Sequence, residues 1–540
     1  MAKPNHIIGT SLKKSEFKHN YDAIIVGSGI GGLTTGAILS KEGKKVAVLE
    51  KHYTVGGFTH VFKRRDWIFE VGVHYIGEME NPESLMRKIS DYVTDGRLEW
   101  HLFTDNYDRV VVEGESFEFP AGKDNLQSEL EKRFPEEKKA IAKYLKMIKN
   151  VRAASGPYYL ERTLPRNSLL RKLLSPLMRR KFLSYSTKTT DEVLSSLTDN
   201  GLLKLYLTGL AGDYGLMPAE SSFAIHALTA QHFINGANYP VGGGSAISKN
   251  IVDIIEENGS QVVTRAGVEE ILVNNDRVVG VRLEDGQELF SDIVVSNAGL
   301  TTTYNKLFSK ENKQKYGLVE QLEGLGLSET YMCLFIGLNG DQEELGLNST
   351  NHWIYGGVNP YEDLKKFRKD YTSDFPILYL AFPSAKDPQW KDDFPGKSTA
   401  EIISSVPYEI FEKWQNTRFK RRGEDYENLK EYFSDRLLKE FIKHHPELED
   451  KIAFFELSTP LSVEHFCNYE QGQIYGLNHK PERFSSKNFS FHGPIKGLYL
   501  TGQDALNVGI GSAFISGTLA SLAILGPRKG RHLLSYFKDL

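Results

Sequence analysis

Residues 22–50 read DAIIVGSGIGGLTTGAILSKEGKKVAVLE. Asp22–Val26 is a short apolar run of the kind that forms a buried parallel strand. It passes into Gly27-Ser28-Gly29-Ile30-Gly31-Gly32, then into Leu33–Glu42, where small and apolar residues fall at helical spacing. A second strand-like run, Lys45–Leu49, ends at Glu50, with Lys51 beside it. The glycines at 27, 29 and 32 fit G-x-G-x-x-G inside a βαβ unit. Gly27 allows the tight turn, Gly29 close approach of a pyrophosphate, and Gly32 tight helix-to-strand packing; Gly31 belongs to the same turn. The helix N-terminus offers free N–H groups and the positive end of its dipole. Glu50 is placed to accept hydrogen bonds from ribose hydroxyls, which favours a free diol over a 2′-phosphate. The stretch predicts a dinucleotide site.

The rest of the chain sets bounds around that unit. At 540 residues it is too long for one ordinary core, so two or three packed regions are expected. Hydrophobic residues make up 40% and charged residues 25%, which excludes a disordered or collagen-like chain. Lys plus Arg number 66 against 70 Asp plus Glu, a net charge of −4 that argues against a general nucleic-acid binder. Two cysteines, Cys333 and Cys467, make no disulfide framework and suggest a reducing compartment. No unbroken apolar run reaches the length of a membrane span, and residues 1–20 lack the apolar core of a secretory signal. Cytoplasmic localisation is the expectation. Ser–His–Asp spacing, H-E-x-x-H and paired C-x-x-C are all missing, so nothing supports a hydrolase or a metal site.

Beyond Glu50 the chain continues Val55-Gly56-Gly57-Phe58-Thr59-His60, then Trp67-Ile68-Phe69-Glu70-Val71-Gly72-Val73-His74-Tyr75-Ile76-Gly77. A Rossmann unit, an acidic strand end and a Gly-Gly pair before an aromatic, acidic stretch resemble the flavoprotein superfamily of amine oxidases and phytoene desaturases. The G-V-H-Y-I-G string resembles the retinol saturase branch of the carotenoid desaturase and isomerase group. Tyr239-Pro240 before Gly242-Gly243, Val294–Gly299, Ala381–Pro388 and Leu500-Thr501-Gly502-Gln503-Asp504 agree, so the resemblance spans nearly the whole chain. Phe58-Thr59 stand where many superfamily members carry Arg. The resemblance implies FAD as cofactor, with Gly57, Phe58 and Thr59 at its second glycine turn. It also implies that Val268 meets the adenine through its backbone, the other reading of Val268 being plain core.

The fold so implied is α/β: a discontinuous Rossmann-type FAD-binding domain, glutathione-reductase-like or amine-oxidase-like, with an interleaved substrate domain of mixed sheet and helices. Residues 20–80, 236–300 and 491–530 would build the FAD domain. Residues 81–235 would form a helical substrate region and 301–490 a second sheet with helices. Within the middle block, Ser245–Asn258 suits a helix, while Gln261–Thr264, Gly267–Val273, Arg277–Leu283 and Glu288–Ser291 alternate like a β meander. Asp292–Ser296 is another buried strand, ending at Ala298-Gly299. Near the C-terminus, Gly509-Ile510-Gly511 opens the small-residue helix Ser512–Leu525. The helix end presents free N–H groups and a positive dipole end, and the resemblance implies that it meets the negative charge of a reduced flavin ring, with Gly511 and Ser512 as contacts and Asp504 accepting from a ribitol hydroxyl.

Leu160–Tyr185, LERTLPRNSLLRKLLSPLMRRKFLSY, holds seven basic residues and one acid interleaved with leucines. It is either a basic-faced helix packed on the protein or an interfacial anchor with its cations on anionic lipid. The resemblance favours the anchor, since its members draw retinoids or carotenoids from membranes, and makes peripheral membrane association the expectation. A flavin beside such an apolar polyene can exchange a hydride with one carbon of a C=C bond while a proton moves at its neighbour. His74 and Tyr75 are the proton-donor candidates, against a purely structural role; His226, Tyr214 and Tyr239 are weaker ones. Saturation is the leading reaction, with desaturation or cis–trans isomerisation open. A carrier resembling the GDP-dissociation inhibitors, which bind prenylated partners, is the remote alternative. One dinucleotide fingerprint leaves NAD(P)H as a candidate electron donor without a domain of its own.

Overall fold

The computed structural model describes residues 7–17, 20–103 and 106–537; the first six residues of the N-terminal stretch lie outside them. A six-stranded parallel sheet forms the base. Its order is Thr10–Ser11, Gln261–Thr264, Val46–Leu49, Ala23–Val26, Val294–Ser296 and Leu498–Leu500. Every residue of Ala23–Val26 and Val46–Leu49 is buried, which explains their unbroken apolar runs. Helix Ile30–Lys41 connects them and is itself buried from Ile30 to Ser40. Helices Gly244–Glu257 and Ile510–Lys529 pack against it from regions remote in sequence. Small residues allow the contact: a side chain at Gly517 would lie 2.6 Å from the Gly31 carbonyl oxygen.

Gln261–Thr264 thus belongs to the parallel sheet, not to the meander expected of it. Its residues Val262–Thr264 are buried, as a central strand requires. Val268–Asn274, Arg277–Leu283 and Glu288–Phe290 alone form the antiparallel three-stranded sheet.

A second sheet has seven strands in the order Ile452–Ser458, Tyr331–Asn339, Lys397–Ser405, Ile377–Ala381, Asn351–Tyr355, Asn106–Val112 and Glu115–Pro120. The last two strands come from the segment expected to be helical. Asn106–Val112 docks parallel on Asn351–Tyr355, so the two substrate segments share one sheet. One side of that sheet packs Met332, Leu334 and Ile336 against Phe433, Leu437 and Phe441 of helix Glu424–His444.

Helix Ile510–Lys529 is the one helix among the described residues long and apolar enough to cross a membrane, longer than the sequence suggested. Its most apolar window is 61% buried, and it turns at Gly526 (φ 71°).

Leu160–Tyr185 folds opposite to its expected polarity. Within helix Leu169–Ser186, Leu169, Leu173 and Leu177 are 72%, 69% and 76% exposed, whereas Arg171 and Arg179 are buried. Arg171 Nε pairs with the buried Glu161 at 2.8 Å. Arg179 donates to the carbonyls of Phe484, Ser485 and Ser486, and Arg166 to those of His492 and Asn488. Arg162 donates to the Ala505 carbonyl at 3.3 Å. Three of the cations expected on lipid, Arg166, Arg171 and Arg179, are therefore spent on a carbonyl-rich segment around 484–492, and a fourth, Arg162, on Ala505. Guanidinium groups match such carbonyl clusters because each presents five donors. Lys172, Arg180 and Lys181 remain exposed.

Candidate functional site

The glycine turn after Val26 and the Gly56-Gly57 turn are joined backbone to backbone by a bridge between Gly29 and Gly56. Gly57 needs its glycine twice over: φ is +57°, and a Cβ would lie 3.1 Å from Gly29 Cα. Thr59 is buried and closes this turn by donating to the Gly56 carbonyl at 3.0 Å. Phe58 stacks on Tyr469, with ring centroids 5.6 Å apart.

One cavity of ≈ 1200 Å³ runs along these turns. Its wall includes Gly27, Gly29, Gly31, Glu50, Lys51, Gly57, Phe58, Thr59 and Val268. It continues past Ala298, Gly299, Asp504, Gly511 and Ser512 to His74 and Tyr75. The site residues expected from sequence thus face one space, except Gly32, which sits behind it against the Gly27 carbonyl. Two helix N-termini, capped by Gly29 and Gly509 without any side-chain hydrogen bond, open on the same space. Orphan N–H groups of this kind require an acceptor, which a pyrophosphate at one end and a flavin carbonyl at the other would supply. The residues present fit FAD.

The two carboxylates expected to meet FAD are already held by the protein. Glu50 Oε2 accepts from Ser28 N and Oγ at 2.9 and 2.6 Å, and Oε1 accepts from His52 N at 2.7 Å. Asp504 Oδ2 accepts from Leu300 N and Oδ1 from Leu477 N, both at 2.8 Å. Glu50 Oε1 and both Asp504 oxygens each keep a lone pair for the cavity, whereas Glu50 Oε2 has none left, and both groups also tie distant segments together. Lys51 pairs with Glu284 at 2.8 Å in the open. Beside Glu50, His52 packs with Tyr53, His60 and Phe466, a ring cluster with no local sequence signature. Burial holds His60 down at about 4.

At the other end, His74 and Tyr75 part company. Burial, with Lys386 nearby, lowers His74 to about 3, so the ring is neutral and holds no extra proton to give. Its Nδ1 faces Glu401 at 3.5 Å. Tyr75 donates its phenolic hydrogen to Asp213 Oδ2 at 2.9 Å, and both groups line the cavity. Behind them Lys386 is fully buried, donating to the His74 carbonyl at 2.9 Å and to Asn351 Oδ1 at 2.6 Å. Burial pushes its pKa down, and pushes Glu70 and Asp213 each up to about 7. His226 and Tyr214 bond each other away from this space, Tyr214 Oη to Nδ1 at 3.4 Å, and Tyr239 lies against Glu70. Asp213, Lys386 and the buried Arg483 escaped the sequence reading because each acts on residues far away in the chain.

A Rossmann-type base with two uncapped helix ends on one cavity, together with a mixed substrate sheet, defines a flavoprotein oxidoreductase. The flavin containing amine oxidoreductase family model matches residues 30–333. The all-trans-retinol 13,14-reductase of Danio rerio is 36% identical over 96% of this chain and 88% of its own. A second Danio rerio protein, the inactive all-trans-retinol 13,14-reductase, is 31% identical over 97% of this chain and 89% of its own. A solved oxidoreductase from Methanosarcina mazei, 16% identical, superposes with a TM-score of 0.59 over 92% of this chain and 98% of its own, a likeness of fold. The chain belongs to the flavin containing amine oxidoreductases and, among them, to the all-trans-retinol 13,14-reductase family. It is an FAD-dependent oxidoreductase acting on CH–CH groups.

Proposed function

We propose that this enzyme saturates a C=C bond of a retinoid-like polyene taken from a membrane. The observation that carries the reading is the single cavity in which the flavin cradle meets an apolar lobe lined by Ile225, Leu228, Phe233, Met332 and Ile403. Bound FAD supplies the hydride. The chain's part is to hold the polyene against the ring, exclude water and place Tyr75 as proton donor at the same end. The leading substrate is all-trans-retinol, by the names of the relatives. Anaerobic incubation of the dithionite-reduced holoenzyme with all-trans-retinol should give a product two hydrogens heavier. Unchanged mass with an isomerised chromophore would replace saturation by isomerisation. NAD(P)H is the electron donor in this reading, met from solution because the chain has a single dinucleotide fingerprint. Bleaching of the flavin bands by NADPH or NADH checks it.

The membrane contact rests on the outward leucines of helix Leu169–Ser186 rather than on its arginines, which anchor the helix to the protein. Burying such side chains in the acyl boundary contributes roughly 1.5–3 kcal/mol each. The double substitution Leu173→Asp, Leu177→Asp should cut flotation with neutral phosphatidylcholine vesicles at least tenfold and leave flavin content unchanged. Equal flotation would remove this face from the reading. The half-buried free thiols of Cys333 and Cys467 suit a cytoplasmic, peripherally bound enzyme.

A further inference from the structure

Asp108 lies on a strand of the substrate sheet and Asp213 on the short turn Ala211–Tyr214, yet both reach Tyr75. Asp213 is open to the cavity but deep beneath the molecular surface, so substrate can meet it while bulk water stays remote. Asp108 is wholly buried. Its Oδ1 accepts from Asn351 Nδ2 at 3.0 Å and from Trp353 Nε1 at 3.2 Å, whereas Oδ2 has no hydrogen bond of good geometry. A buried carboxylate oxygen left bare is costly; a carboxylic acid O–H there, turned to Tyr75 or Asp213, is not.

Charge counting points the same way. Lys386 is the one cation among the groups that act on this pair, and it faces Glu70 and Glu401 as well as Asp108 and Asp213. The phenols of Tyr107, Tyr214, Tyr331, Tyr355, Tyr379 and Tyr475 also surround the pair and carry no charge at neutral pH. One ammonium cannot balance four carboxylates in so deeply buried a site, so protons stay on the carboxyls.

We propose that Asp108 and Asp213 share a stored proton behind Tyr75, and that Tyr75 relays it to the polyene carbon adjacent to the one that takes the hydride. The inference rests on the C=C saturation proposed above. The hydride and its electron pair come from the reduced flavin. The neighbouring carbon bonds to the Tyr75 hydrogen, leaving the O–H electron pair on the phenolic oxygen. That oxygen recovers a proton from Asp213, which Asp108 shares. The net change is one C=C saturated, one reduced flavin oxidised and one proton consumed. Tyr75 is the catalytic residue; Asp213 and Asp108 act through it, with Lys386 and Asn351 as positioning residues.

The test has one readout that needs no substrate. Infrared difference spectra of the oxidised holoenzyme at neutral pH should show the carbonyl stretch of a protonated carboxylic acid, shifted in D2O. Asp213→Asn or Asp108→Asn should remove or displace it, and Tyr75→Phe should keep it. If one carboxyl variant does not fold, the other carries the test. With all-trans-retinol in D2O, Tyr75→Phe should lower turnover by roughly 10²–10⁴-fold. Asp213→Asn should also slow turnover and change the solvent isotope effect, with Asp213→Glu restoring part of the rate. A wild-type enzyme without the band, a band untouched by both carboxyl variants, or full turnover in Tyr75→Phe would overturn the relay. If the band behaves as expected but wild-type enzyme saturates no retinoid, the substrate reading fails and the stored proton stands.

Discussion

Gly32→Ala should purify as a folded chain with less than a tenth of the wild-type flavin. An added Cβ would stand 2.3 Å from the Gly27 carbonyl oxygen and 3.2 Å from Asn297 Cβ. The nearer obstacle is backbone, so no side chain can swing aside. Helix Ile30–Lys41 must instead lift from strand Ala23–Val26, carrying the Gly29 helix end away from its phosphate position. Overpacking of this kind costs about 1–3 kcal/mol in stability, and the lost alignment falls directly on cofactor binding. Gly201→Ala, at an open helix start with nothing within 4 Å, is the control and should keep full flavin. Absorbance at the flavin bands per mole of protein measures both. A fully loaded Gly32→Ala would mean that the helix does not need its present seat.

The second large effect belongs to Arg483. Its side chain is 1% exposed and donates to the carbonyls of Leu477, Gln503, Asp504 and Leu506. Those last three residues form the turn before the Gly509 helix end, so one guanidinium sets the shape of the C-terminal flavin wall. Arg483→Met fills similar space but strands four buried acceptors, each costing about 1–3 kcal/mol when unsatisfied. A loss of about 3 kcal/mol or more is expected, read as a lower denaturant midpoint for flavin release. Arg483→Lys should recover only a minor part, because a single ammonium cannot reach carbonyls spread around a planar fork. Unchanged flavin release in Arg483→Met would show that the turn holds itself.

These two residues mark what can be read from sequence and what cannot. The nearest obstacle at Gly32, the Gly27 carbonyl, is written within thirty residues: a strand, a turn and a helix whose packing distances follow from local geometry, with Asn297 the one long-range neighbour. The same holds for Glu50 and for the C-terminal glycine helix, and the cavity walls assemble from them. Arg483, Asp213 and Lys386 have no such local grammar, since most of their partners lie on segments remote in the chain that only tertiary folding brings near. Leu160–Tyr185 shows the intermediate case. Its two-faced composition was plain, but not which face turns inward. Leucines usually face a core; here the 484–492 loop offers carbonyls, so arginines face inward and leucines outward. Gln261–Thr264 was likewise recognisable as a strand while its sheet was not, because pairing is a long-range choice.

The order of strands in the parallel sheet also sets a timetable. Val294–Ser296 has its outer partner, Leu498–Leu500, some two hundred residues later in the chain. Until that strand is made, a growing polypeptide carries an open sheet edge and an unfinished second sheet, the condition in which nascent proteins aggregate. The Gly509 end of the cofactor cradle is synthesised later still. A cradle that holds FAD between the Gly29 and Gly509 helix ends would therefore be complete only after the last strand of the base is made. Cofactor supply and chaperone protection thus act on the same late step, and C-terminal truncations destroy a site whose fingerprint glycines they never touch.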